Sequence, residues 1–384
     1  MPTVLFLSNC YGEDRSAAII ASALKKMRPD TEIIGAPLIS FGEEYEKRNI
    51  PVLLKTKVPP SGGFTTRSIA GILDVLTGFY IPIRYCLALK KLRPKTDSVM
   101  ITGDVFLLIL GWLGARKPIF FLAPAKSDYQ NPHYKVELWI MRSLIHKKQI
   151  KQIFTHDEYT ANNLRKNNVP ATFVGNPMVD ELKREHKFTP EKNSITIGIL
   201  PGSRTEAYKN FIKILQVVEL LEQKNLPKLS FVTALPNTIK LDTLTTLSQN
   251  NGWNLSTDDI SVLTKKDTKV FLYYNAFVDI IEQANIIIGL AGTANEQAAY
   301  FGKPIVGFQG TGPQTSNVRM NNQQNLLGGC LKVVKNFPDE VVNEIMFLLQ
   351  HPDEIKRRSK IGKFRMGPSG GAERIAQVIV GSMK

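Results

Sequence analysis

Cysteine is scarce in this 384-residue chain: Cys10, Cys86 and Cys330 lie far apart. They form no CxxC pair and no Cys/His ligand spacing. That argues against a disulfide scaffold and fits a reducing compartment. The five histidines, His133, His146, His156, His186 and His351, make no HExxH or other ligand pattern, so no metal site is expected. No run of 18 uncharged apolar residues occurs, so no membrane-spanning helix is expected. The chain passes from Met1-Pro2-Thr3 straight into an apolar run, without the basic and apolar regions of a signal peptide. A cytoplasmic location is the expectation. The first strand is not followed by GxGxxG, so a dinucleotide fingerprint is missing. No RNP-like motif, finger or helix-turn-helix signature appears, which argues against nucleic acid as partner.

What is present is ordinary globular composition, with 43% hydrophobic and 22% charged residues. The length exceeds what one core usually supports, so two domains are expected. The formal net charge is +15. Such a balance suits a polyanionic partner, whether nucleic acid, anionic lipid or a phosphorylated substrate, or reflects a generally basic surface.

Short Val/Ile/Leu/Phe runs alternate with helical stretches throughout. Predicted strands are Thr3–Ser8, Ser98–Thr102, Pro118–Leu122, Gln152–Thr155, Ala171–Val174, Ile195–Leu200, Leu229–Thr233, Val270–Tyr273, Ile286–Gly289 and Pro304–Phe308. Many are continuous rather than alternating, as in parallel strands covered on both faces, so the fold class is α/β. The polar, Pro-containing stretch Lys183–Asn193 is the predicted boundary, after which the strand–loop–helix rhythm restarts. Residues 59–95 break the rhythm: PPSGG leads into a broad apolar helical pattern ending at Lys90, Lys91, Arg93 and Lys95. It reads either as a segment lying on an anionic bilayer or as a core helix with a solvated basic end.

Several strand ends carry chemistry. After the first strand, Asn9, Gly12, Glu13 and Asp14 surround a helix start, where a polar ligand or the helix dipole is served. Asp104 follows the strand Ser98–Thr102 and is either a general base or a helix cap. Lys126 and Asp128 follow the next strand and either face a ligand or are solvated. Gly202-Ser203-Arg204 is the sharpest local motif: Gly202 permits close backbone approach, and Arg204 offers a planar fork to phosphate. Gly292-Thr293-Ala294 opens a helix whose N–H groups can meet a pyrophosphate, with Glu296 placed for ribose hydroxyls. The glycine-rich Gln309–Thr315 reads as a close-approach loop, and Asn321–Gln324 as surface.

Together GILPGSR, GLAGTANEQAAYFGKPIVGF and VGNPMVDEL resemble the lipid-A-disaccharide synthases, and more closely a lipid-A-disaccharide synthase-like group that also shares SNCYGED, ITGDVF and AKSDY. The resemblance runs over nearly the whole chain. It implies a GT-B fold, with two Rossmann-like domains whose parallel sheets face across a cleft: an acceptor domain over 1–183, a UDP-sugar domain over 194–368, and a helix over 369–384 returning to the first. It implies Gly202, Ser203, Arg204, Gly292, Thr293, Ala294 and Glu296 at the donor and Asp104 as catalytic base. The expected activity is inverting hexosyl transfer from a UDP-sugar to a lipid or lipid-linked acceptor, peripheral to the cytoplasmic membrane face, with no metal or cofactor. Two departures, Tyr11-Gly12-Glu13-Asp14 for GExSGD and Gly175-Asn176-Pro177 for GHP, bear on the acceptor. A UDP-sugar 2-epimerase and a catalytically silent sugar-nucleotide-binding relative are the alternative readings.

Overall fold

A computed structural model describes residues 1–55, 80–335 and 337–383. The part of the 59–95 segment before Tyr80 lies outside the described residues. The chain divides into two compact units, Met1–Glu181 with Pro368–Lys384, and Leu182–Gly367.

The first unit holds six parallel strands: β1 (Thr3–Ser8), β2 (Glu32–Pro37), β3 (Ser98–Thr102), β4 (Ile119–Ala123), β5 (Ile150–Thr155) and β6 (Ala171–Thr172). Their order is β2-β1-β3-β4-β5-β6. The continuous apolar runs have a direct cause. Leu5, Leu7, Val99, Ile101 and Phe121 enter one core, while Val4, Phe6, Met100, Phe120 and Phe154 enter the core on the opposite face. Alternate residues of a strand face opposite ways, so two covered faces demand apolar residues at every position. The first core is covered by α3 (Tyr80–Leu92), α4 (Val105–Ala115) and α5 (Lys135–His146). The second is covered by α1 (Tyr11–Met27) and the final helix, α14 (Gly371–Ser382). The block VGNPMVD anchors that helix: Asp180 accepts hydrogen bonds from Gly370 N at 2.6 Å and Ala372 N at 2.7 Å. Gly175 lies so close that a Cβ on Gly371 would sit 2.5 Å from its carbonyl oxygen.

The second unit has eight strands: β7 (Ile195–Leu200), β8 (Leu229–Leu235), β9 (Asn254–Thr257), β10 (Ser261–Lys265), β11 (Thr268–Tyr274), β12 (Ile286–Gly289), β13 (Ile305–Phe308) and β14 (Leu331–Val334). Their order is β14-β13-β12-β7-β8-β11-β10-β9. β9 and β10 pair antiparallel, so this sheet is parallel only as far as β11. That edge escapes a search for buried runs because most of β9 is exposed and polar. β2 and β14 likewise fall outside the predicted strands. Both flank their sheets, and each carries exposed or half-buried positions.

Most of the polar stretch 183–193 is part of the second unit rather than a free connector. Asp279, only 1% exposed, accepts from His186 N, Lys187 N and Arg184 Nε. Phe188 is buried beside it and meets Tyr273 edge-on with ring centroids 5.5 Å apart.

Candidate functional site

In each sheet the chain leaves its first strand in one direction and later returns to the other side of it. The reversal falls between β1 and β3 in the first unit and between β7 and β12 in the second. Loops diverge there at the carboxyl ends of the strands, which is where open α/β sheets hold ligands.

In the first unit the reversal is built from carboxylates. Ser8 is paired with Thr102, so the loops after β1 and β3 start side by side. Asn9 lies against Gly103, whose Cβ would be 3.0 Å from Asn9 Nδ2. Glu13 sits in the first turn of α1, 8% exposed, and accepts from Cys10 Sγ at 3.5 Å. Burial and then the charge of Asp104 push its carboxyl up to about 8. Asp104 is exposed, and one of its oxygens caps α4 by accepting from Leu107 N at 2.9 Å. It therefore performs the capping role that its position allowed, while lying close enough to Glu13 to act on its proton. Gly12 is exposed in the same turn.

Three residues expected at this site are engaged in structural bonds. Asp14, one residue after Glu13, is turned about 100° around the helix. It accepts from Ser40 Oγ at 2.5 Å, and burial raises its carboxyl. Asp128 is held by His133 Nδ1 at 2.6 Å and Asn163 Nδ2 at 3.0 Å. Lys126 pairs with Glu137 at 3.4 Å and lies over the Tyr134 ring. These bonds bind the loop after β4 to α5 and to α6 (Glu158–Lys166).

In the second unit the reversal is built from guanidinium and backbone N–H groups. Leu200 is paired with Gly289, which sets the Pro201–Arg204 turn beside the start of α10 (Gly292–Tyr300). Gly202 has φ +106°, a conformation other residues rarely adopt, and a Cβ there would meet nothing closer than 3.6 Å. Conformation rather than crowding requires the glycine. Ser203 and Arg204 are exposed, and Thr238 Oγ1 donates to Ser203 O at 2.7 Å from the loop after β8.

The N-terminus of α10 is open. Its N-cap, Ala291, offers no side-chain acceptor, and its first turn carries no acidic residue. A helix start leaves N–H groups without intrahelical partners and has a positive dipole end, so Gly292, Thr293 and Ala294 present donors to an anion. Gly292 and Thr293 are exposed, and a Cβ on Gly292 would find its nearest neighbour only at 3.9 Å. Glu296 is half-buried one turn on.

Other groups at this edge are not legible as functional in the sequence. Arg319 opens α11 (Asn317–Leu327), and its guanidinium is held below its usual range first by partial burial and then by Arg204. Two guanidiniums near enough to repel make a place where an anion is favoured. The polar run read as surface contains Gln323, which is buried, donates to Gly292 O at 2.6 Å and accepts from Asn295 Nδ2 at 2.9 Å. It fixes the start of α10. The glycine-rich loop after β13 is held by Asn210, which is fully buried and accepts from Thr311 N at 2.6 Å. The only sequence signal for Arg319 is a cation in the first turn of the helix that follows this loop.

Among the described residues no cluster of His, Cys, Asp and Glu is arranged to hold a metal ion.

No family model matches the chain. A lipid-A-disaccharide synthase of Trichlorobacter lovleyi is 25% identical over 257 residues, covering 62% of this chain and 60% of that protein, less than two thirds of its length. A lipid-A-disaccharide synthase of Geobacter sulfurreducens is 21% identical over 343 residues, covering 82% and 83%. The fold matches an S. aureus MnaA–UDP co-structure with TM-score 0.63 at 17% identity, over 99% of this chain and 96% of that one. It also matches Acinetobacter baumannii MurG with TM-score 0.60 at 14% identity, over 99% and 100%. UDP-GlcNAc 2-epimerase of Neisseria meningitidis, bound to UDP-GlcNAc, matches with TM-score 0.59 at 17% identity, over 99% and 100%. The fold is of the GT-B type, and both curated relatives are lipid-A-disaccharide synthases.

Proposed function

We propose that this chain is a glycosyltransferase that moves a hexosyl group from a UDP-sugar to a hydroxyl of a lipid or lipid-linked acceptor at the cytoplasmic face of a membrane, with inversion. The observation that carries the donor assignment is the uncapped start of α10 beside Arg204 and Arg319. Backbone donors and two guanidiniums suit a diphosphate, and Glu296 suits the ribose.

In the proposed step the acceptor oxygen bonds to the anomeric carbon as the bond from that carbon to the diphosphate breaks. The hydroxyl proton passes to Asp104, while Glu13, which keeps its own proton to about 8, lies near it. Charge growing on the departing UDP is met by Arg204, Arg319 and the N–H groups of Gly292–Ala294. The same groups supply the positive charge for which other transferases use a divalent cation, so turnover is expected to be insensitive to EDTA.

Support for UDP comes from the UDP and UDP-GlcNAc complexes among proteins of this fold. Support for a lipid-linked acceptor comes from the two lipid-A-disaccharide synthases. The same fold neighbours favour a second reading, a UDP-sugar 2-epimerase, in which a carboxylate removes the proton at C2. Product analysis without acceptor separates the two, since only an epimerase converts UDP-GlcNAc to its C2 epimer.

The test is a thermal-shift titration with UDP, UDP-GlcNAc, UDP-glucose, GDP and ADP on the wild type and on Arg204→Ala, Arg319→Ala and Glu296→Ala. Saturable stabilisation by uridine nucleotides, weakened in all three variants, is the expected result. No shift with any nucleotide, from folded protein, would sink the donor assignment.

A further inference from the structure

The carboxyl edge of the first sheet carries an acid–base group that the proposed reaction does not use. The loop after β4 starts beside the loop after β3: Thr102 is paired with Leu122, and Gly103 N donates to Leu122 O at 2.9 Å. Asp104 follows Gly103, so the β4 loop opens on the same edge as the proposed proton acceptor. That loop presents an imidazole set by a carboxylate. Asp128 N donates to Thr160 Oγ1 at 2.9 Å, one carboxylate oxygen accepts from Asn163 Nδ2 at 3.0 Å, and the other faces His133 Nδ1 at 2.6 Å. The Asp128 and His133 side chains are only 5% and 6% exposed, so the ring has little freedom to turn.

An ionised carboxylate only accepts hydrogen bonds, so Nδ1 carries a proton and donates it to Asp128. In the neutral ring the lone pair then lies on Nε2. Nε2 bonds to nothing among the described residues, and it is not one of the atoms sealed from solvent. His156, at the end of β5, makes a useful contrast. Its Nδ1 lies 3.3 Å from Asp157, but that carboxylate caps α6 through Thr160 N at 2.8 Å, and Nε2 of His156 is closed off from solvent. Tyr129, next to Asp128, stacks on Tyr159 with ring centroids 4.4 Å apart, and Tyr159 is exposed. An outward lone pair and an exposed aromatic pair suit a ligand that carries hydroxyls on a carbon ring. A tie between loop and helix does not require Nε2: an asparagine at 133 would hold Asp128 with an amide nitrogen in place of Nδ1.

We infer that His133 Nε2 accepts a hydrogen bond from a second hydroxyl of the acceptor, beyond the one that reacts, and so selects a polyol over a simple alcohol. Asp128 is a positioning residue that fixes the tautomer and the direction of the ring. A polyol with its hydroxyl on Nε2 leaves no buried acceptor without a partner, whereas a simple alcohol leaves that bond unmade. The inference rests on the proposed transfer reaction for its acceptor.

The experiment uses the full chain with isotope-labelled histidine. Octyl β-D-glucoside below its micelle concentration is the polyol probe, and octanol is the simple alcohol. Nitrogen NMR at about pH 8 reads the tautomer of each ring. His133→Asn identifies the His133 signals by their loss, and unchanged thermal unfolding checks its fold. The expected result is a His133 ring protonated at Nδ1 alone, with an Nε2 signal that the glucoside moves and octanol does not. In UDP release from UDP-GlcNAc, His133→Asn is expected to raise KM for the glucoside about tenfold and to leave kcat within about twofold. A purely structural histidine would leave that KM unchanged, since the variant keeps the bond to Asp128. That outcome, a ring protonated at Nε2, or an Nε2 signal that the glucoside leaves in place would each overturn the inference. The two proposals fail separately. A glucoside shift at Nε2 without UDP release sinks the transfer reaction alone, and UDP release with Nε2 unmoved sinks the role of His133 alone.

Discussion

The two sheets reverse direction in the same way and place opposite chemistry at the reversal. In the first unit a helix start is capped by its own Asp104, with a buried Glu13 beside it whose proton is held to about pH 8. In the second a helix start has no side-chain cap, and Arg204, in the turn after the neighbouring strand, lies near enough to Arg319 to depress it. Topology thus supplies a place for a ligand, and the residues around the helix start decide its charge. A helix start already bonded to a carboxylate repels a diphosphate. One without a cap attracts it.

The largest expected effect comes from altering the proposed acid–base residues without touching the proposed donor side. Glu13→Gln and Asp104→Asn are each expected to lower the turnover of UDP-sugar about 10²–10⁴-fold, measured as UDP release. Their UDP affinity should stay within about twofold of wild type, since a positioned acid–base group acts on the chemical step. Equal loss of binding and turnover would break the division between the units.

A smaller effect should follow from making the second reversal resemble the first. Ala291 has extended backbone angles, φ −125° and ψ 127°, which suit a capping carboxylate. Ala291→Asp is expected to stabilise the chain by about 1 kcal/mol and to weaken UDP binding about tenfold. Denaturant unfolding and calorimetry read the two outcomes. Tighter UDP binding would show that the open N-terminus is not where the anion sits.

A comparable effect concerns pH and stability. Glu13 keeps its proton to about 8 in the folded chain but loses it near 4.5 when unfolded. The folded state therefore holds more protons between those values. The stabilisation from this group is complete below about pH 4.5 and is lost as pH rises through 8. Glu13→Gln carries no such dependence. Relative to wild type it should gain about 1–3 kcal/mol between pH 6 and pH 9 in urea unfolding.

Much of this comparison is legible in the amino-acid sequence. Continuous apolar runs such as Thr3–Ser8 and Ile286–Gly289 declare strands covered on both faces, and PGSR and GTAN mark the turns that follow two of them. What the sequence hides depends on tertiary neighbours. Glu13 and Asp14 are adjacent in the chain, but only the fold couples one to Asp104 and bonds the other to Ser40. Lys126 and Asp128 have the same strand-end placement as the other candidates, and it is Glu137 and Asn163, on two helices, and His133, just before the first of them, that tie them up. Arg319 and Gln323 come from a helix that no strand-end motif announces, and they matter because α11 returns beside α10. The edge strands β9 and β10 have little apolar signal because little of them is buried.

The most direct measurement is a calorimetric titration of UDP into the wild type and two double variants, Arg204→Ala with Arg319→Ala and Glu13→Gln with Asp104→Asn. The account predicts that the arginine pair costs about 10²-fold or more in affinity, while the carboxylate pair leaves affinity within about twofold of wild type. Loss of UDP binding in the carboxylate variant, with binding retained in the arginine variant, would place the nucleotide at the other reversal and contradict the account.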